Sequence, residues 1–171
     1  MGCSAVCSWG SVTAKVLHDA TCPVWTAAHA EQQRTRGVPT KILCALDGTP
    51  TSAALLRWTA DFTKTVGATL KLLHVVRPIT DLAWLQRERV LQDQVREEAR
   101  SQIASMQAAA NVEAPLRVVV GEIVPTLTEE AHQEDVDLVV IGRGSVSVPF
   151  GRFRTHVFGI VQGSPCPVLS V

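Results

Sequence analysis

The sequence lacks an excess of either charge: 16 Lys and Arg residues balance 16 Asp and Glu, and no basic cluster stands out. A nucleic-acid binder relies on cations to neutralise phosphates, so this balance argues against that role. A long apolar run is missing too; nothing approaches the ~20 residues that a membrane-crossing helix needs. The basic start and apolar stretch of a secretory signal are absent. An acylation signal beginning Met1-Gly2-Cys3 would need Ser or Thr where Val6 stands. A soluble, cytoplasmic protein is expected.

Metal and catalytic signatures are equally scarce. The five cysteines, Cys3, Cys7, Cys22, Cys44 and Cys166, form no CxxC pair, so reduced thiols are expected rather than zinc or disulfides. Cys44 and Cys166 sit in apolar runs, where a thiol behaves as a small buried hydrophobe. His18, His29, His74, His132 and His156 are never spaced as metal ligands. His74 reads as a packed, hydrogen-bonded strand residue. For His156, contact with a phosphate, capping and exposure to solvent all stay open. No GxSxG elbow surrounds Ser145 or Ser147, and both GxxxxGK[ST] and a GxGxxG after the first strand are absent. Trp9, Trp25, Trp58 and Trp84 do not interleave with basic residues, so base stacking is not indicated. With no nucleophile or base identified, no enzyme is expected.

What is present is an alternation of strands and helices. The chain has 171 residues, 46% of them hydrophobic, enough for one core with an appendage. Ile42 to Leu46 is a short apolar run of the kind buried on both faces of a parallel sheet. Asp47-Gly48 stops it, and Thr49-Pro50 supplies a helix cap with Pro at the first helical position. Leu55, Thr59, Phe62 and Val66 form the stripe of that helix, and Gly67 closes it. Leu70 to Val76 is a second strand. A long helix from near Asp81 to Ala110 follows, with Leu91, Val95, Ala99, Ile103 and Met106 on its apolar side. Arg117 to Val120, Leu138 to Ile141 and Pro167 to Val171 complete the strands; Val124 to Glu134 and Arg152 to Gln162 complete the helices. Such βαβ units imply an open, doubly wound α/β sheet with right-handed crossovers. Ligands bind such sheets outside the carboxyl ends of the strands, at the switch in strand order. Asp47 and Gly142-Arg143-Gly144 occupy those positions.

Four segments in order, Lys41 to Ala53, Leu72 to Val76, Asp137 to Gly144 and Ser164 to Val171, resemble the universal stress protein domain. The resemblance covers nearly all of residues 40–171. It implies a five-stranded parallel sheet in the order 3-2-1-4-5, of the adenine nucleotide alpha hydrolase-like kind, with dimers formed through the fifth strand. Members divide into those that bind ATP and those that do not. Binding members carry GxxG, nine residues, then G[S/T]. Here Gly142-Arg143-Gly144 is one residue short, and Arg154 precedes Thr155 where the third glycine belongs. The resemblance assigns Asp47 to the ribose and adenine, and Ala45, Leu46 and Val75 to the frame of the base, largely through their backbone. Gly142, Arg143, Gly144 and Thr155 fall to the phosphates of ATP with magnesium. Glycine loops and helix N-termini suit phosphate because free N–H groups point at it. Two functions stand open: a stress-response module binding an adenine nucleotide, and a dimerisation or partner domain that binds none. In the second, Asp47 merely caps its turn.

Residues 1–27 look like the last helix and strand of another such domain: Cys22-Pro23-Val24 recurs as Cys166-Pro167-Val168, one domain length later. The reading is a tandem protein: residues 1–27 end a preceding domain, 28–39 form a linker and 40–171 form the universal stress domain. The alternative is an unrelated helix-strand extension. If the segment docks, Val24 to Ala27 should pair antiparallel with Val168 to Val171, and Val16 and Leu17 should cover adjacent apolar surface.

Overall fold

The computed structural model describes residues 15–17, 19–27, 37–77, 88–143 and 156–171. Along the chain run β1 (Val24–Thr26), β2 (Lys41–Leu46), α1 (Ser52–Val66), β3 (Thr69–Val76), α2 (Glu88–Ala110) and β4 (Leu116–Val120). They are followed by α3 (Ile123–Gln133), β5 (Leu138–Ile141), α4 (Val157–Gly163) and β6 (Val168–Ser170). Ahead of β1, residues 15–17 are helical. The apolar runs of β2 and β5 lie at the sheet's centre because they have no polar face to show solvent, and every residue of β5 is buried.

Among the described residues, one sheet carries all the strands, in the order β1-β6-β5-β2-β3-β4. Its five parallel strands reproduce the expected 3-2-1-4-5 order. The sheet is nonetheless six-stranded, because β1 adds antiparallel to β6 with Val24 opposite Ser170, Trp25 opposite Leu169 and Thr26 opposite Val168. Thr26 Oγ1 donates to the Val168 carbonyl at 2.9 Å. Of the two residues expected to cover the neighbouring surface, Leu17 is buried but Val16 is 47% exposed.

Two apolar layers flank the sheet. On one face Leu43, Ala45, Leu73, Val75 and Val139 meet α3, α4 and Leu17. On the other, Ile42, Cys44, Leu46, Leu72 and Val140 meet α1 and Ile103 of α2. Period-two alternation along each strand produces this division. In α2, Ala99 and Ile103 are buried as its stripe implies, whereas Leu91's side chain and residues 81–87 lie outside the described residues.

The start of α1 differs from expectation. Its N-cap is Thr51, and Thr49 instead begins a tight turn in which the Ser52 amide donates to the Thr49 carbonyl at 2.9 Å. The reason is the carboxylate of Asp47, which draws the Thr49 hydroxyl away from the helix end. At the opposite end of the sheet, Asp137 Oδ2 accepts from the Thr40 amide at 2.8 Å, its hydroxyl at 2.6 Å and the Lys41 amide at 3.0 Å. Partial burial opposes that charge, but the bonds from Thr40 and Lys41 prevail and hold the carboxyl below its ordinary range. The entry to β2 is thereby tied to β5.

Cys22, Cys44 and Cys166 are free thiols. Burial pushes the Cys44 thiol up to about 12, against a lowering contribution from Thr59. Because the folded value is raised, the stability this thiol contributes is complete below its unfolded pKa of about 8.5 and falls as pH rises beyond it. At pH 8, a maleimide should label exposed Cys22 in the folded chain and reach Cys44 only after unfolding in urea. Peptide mass mapping reads both; labelling of Cys44 as fast as Cys22 would place it outside the core.

Candidate functional site

A cleft of about 350 Å³ opens at the carboxyl ends of β2 and β5, beside the first turns of α1. Of the residues expected at a ligand, it brings together Ala45, Asp47, Gly142 and Arg143. Thr51, Ser52, Ala54, Leu55, Trp58 and Val171 complete its border. The sequence reading missed this second group. The usable signal was the run of hydroxyls at Thr49, Thr51 and Ser52 directly after Asp47.

The geometry around Asp47 is that of a fixed carboxylate. Oδ1 accepts from the Thr49 amide at 3.0 Å, the Thr49 hydroxyl at 2.7 Å and the Ser52 hydroxyl at 2.6 Å. Among the described residues, all of its hydrogen bonds fall on Oδ1. The carboxylate therefore organises its own turn, and that arrangement fixes the direction of Oδ2. Gly48 follows with φ 75°, a conformation that disfavours a side chain, and a Cβ there would lie 3.3 Å from His74 Cε1. Its carbonyl accepts from Gln102 Nε2 at 2.8 Å, which connects the loop to α2. His74 is buried, with Nδ1 2.7 Å from the Leu46 carbonyl. A carbonyl only accepts, so Nδ1 carries the proton. This is the packed, hydrogen-bonded histidine the strand context implied.

The other expected residues are distributed differently. Leu46 is fully buried against α1 and α2, and Val75 is buried on the opposite face among Leu43, Leu73 and Val139. Neither side chain borders the cleft. Gly142 touches α1 closely, for a Cβ there would stand 3.3 Å from Leu55 Cδ2. Arg143 has its amide held by the Val171 carbonyl at 2.9 Å. Its guanidinium donates to the carbonyl of Ala20 and, at 2.6 Å, to that of Cys22. Gly144, Arg154 and Thr155 lie outside the described residues. His156 takes the N-cap position of α4 without a side-chain cap bond.

Among the described residues, no group of three or more His, Cys, Asp or Glu side chains could hold a metal ion, and no helix is long and apolar enough to cross a membrane.

Comparison with curated protein sequences returns no match. Among solved structures, the chain is similar to universal stress protein UspA from Lactobacillus plantarum, with TM-score 0.64 and 20% identity, covering 77% of this chain and 97% of that one. It is similar to a universal stress protein in complex with cAMP, with TM-score 0.53 and 21% identity over 79% of this chain and 98% of that one. A functionally unknown protein from Pseudomonas aeruginosa gives TM-score 0.67 and 17% identity, covering 95% of this chain but only 56% of that one. These likenesses concern the fold. The universal stress protein family model matches residues 39–171, the stretch that contains the five parallel strands and the cleft. By that match, the chain belongs to the universal stress protein family.

Proposed function

We propose that this chain is a stress-response module that binds ATP or a related adenine nucleotide, with magnesium, at the ends of β2 and β5. The observation carrying this reading is the meeting of Asp47, Gly142 and Arg143 at one cleft. A fixed carboxylate suits ribose hydroxyls, a guanidinium suits phosphoryl oxygens, and the wall of Leu55 and Trp58 suits a planar base. Ala45 and Leu46 would frame the base through backbone. Gly144 and Thr155 would join Arg143 at the phosphates. The cAMP bound by a structural relative is consistent with this class of ligand. The function is binding rather than catalysis, in a reducing, cytoplasmic setting.

We further propose that residues 1–27 are the last helix and strand of a preceding universal stress domain, with 28–39 as linker. The seating of β1 on β6 supports this, as does a relative that matches 95% of this chain with only 56% of its own. The partner of β6 is then a twin domain. If Arg143 serves only to hold Ala20 and Cys22, the chain is a partner domain without a nucleotide.

Extraction of nucleotide from the purified protein, followed by calorimetry with ATP and magnesium, separates these readings. Asp47→Ala should weaken ATP binding about tenfold or more, because a charge-assisted hydrogen bond to a ligand contributes roughly 1.5–3 kcal/mol. Equal, measurable affinity in parent and variant would remove Asp47 from the site.

A further inference from the structure

We infer that Ala20 and Cys22 preorganise the cleft from outside it: their carbonyls hold Arg143 as a fixed anion receptor, so ligand binding and docking of β1 reinforce one another. The ligand in this inference rests on the nucleotide reading above. The coupling rests on Arg143 itself, which borders the cleft while its guanidinium is tied to the N-terminal segment.

A guanidinium has five N–H donors. Nη1 gives one to Ala20 and Nη2 one to Cys22; among the described residues the other three donors have no acceptor. Carbonyl oxygens are neutral, so both bonds leave the cation's net charge in place. An incoming phosphoryl group need not displace the segment.

The bonds also set the position of a long side chain whose free form samples many rotamers. Immobilising such a side chain on binding costs affinity, and prior fixation removes that cost. The backbone at its root is already fixed by the Val171 carbonyl. The holding carbonyls belong to a segment anchored on both sides of them: Leu17 is buried in the core, and Val24 to Thr26 pair with β6. Residues more than a hundred positions from Arg143, none of which borders the cleft, thereby govern it. Linkage is reciprocal for binding free energies, so a ligand held by Arg143 must strengthen docking of the segment by the same factor.

The test is calorimetry with ATP and magnesium on the full chain, alongside Leu17→Ala, Arg143→Gln and the double variant. Hydrogen exchange of the Val24 and Thr26 amides, the β1 amides that face β6, is followed in parallel. Leu17→Ala, which loosens the segment away from the cleft, should weaken ATP binding about fivefold to tenfold, within the usual range of coupling between sites. Arg143→Gln should weaken it at least as much, and Leu17→Ala should then add nothing. ATP should slow β1 exchange in the parent and not in Arg143→Gln. If Leu17→Ala does not fold, Thr26→Val, which deletes only the bond to Val168, replaces it with the same expected direction. ATP affinity untouched by loosening the segment, a loss that persists without Arg143, or β1 exchange indifferent to ATP would each overturn the inference and leave the nucleotide reading intact. No ATP binding to the parent would overturn both.

Discussion

Removing residues 1–39 should turn the protein into a self-associating species, seen in sedimentation velocity as larger particles whose fraction grows with concentration. In the full chain, β1 takes the outer hydrogen-bonding edge of β6, and Leu17 and Val24 cover part of the apolar layer that includes α3 and α4. The truncated chain would expose that edge and that surface together. Unpaired strand groups and apolar area are both templates for another copy. Loss of the Leu17 side chain alone removes burial of about 1.5–3 kcal/mol, and the strand pairing and Arg143 bonds go with it. The melting temperature should therefore fall as well. Linkage explains why the full chain avoids this outcome: a tethered strand meets β6 at a high effective concentration. A truncated protein that stays monomeric and loses no stability would show that the segment is idle.

Leu46→Ala should lower stability by about 2–5 kcal/mol, the usual cost of emptying a fully buried leucine site. Leu46 ends β2 with its side chain completely buried between the sheet, α1 and α2. Family resemblance puts it beside the nucleotide base, but its side chain does not border the cleft. Urea titration should therefore show a lower midpoint with an unchanged slope, while ATP affinity per folded molecule stays within about twofold, since stability and binding effects separate when the lost contact is remote from ligand. A stable variant with weakened binding would move Leu46 from the core to the site.

The α/β class was legible because apolar strand runs alternate with helical stripes. Ile42 to Leu46 and Leu138 to Ile141 have no polar face, which suits strands buried on both sides, whereas the strand order was legible only through the family resemblance. The partnership of β1 was legible from the repeated Cys-Pro-Val. Residues that act through backbone or side-chain direction were harder to read. Thr49 looked like a helix cap because its type and its proline neighbour fit, yet the nearby Asp47 carboxylate takes its hydroxyl. Leu46 and Asp47 are adjacent in sequence but differ in role, since side chains alternate faces along a strand and the alternation ends with β2. Arg143 stood in a glycine loop and read as a phosphate ligand. Its bonds to Ala20 and Cys22 depend on a tertiary docking event that local pattern does not encode.

The outermost strand β1 carries a device of its own. It begins directly after Pro23. Proline has no amide hydrogen to offer a neighbouring strand, so that flank of the sheet starts with a gap in its donor row. β1 is also only three residues long, too short to seed a stable further ladder. The sheet is therefore blunted at its β1 edge. Colloidal behaviour at high concentration should then be governed by surface charge, which is least protective near the neutral isoelectric point of about 7.0.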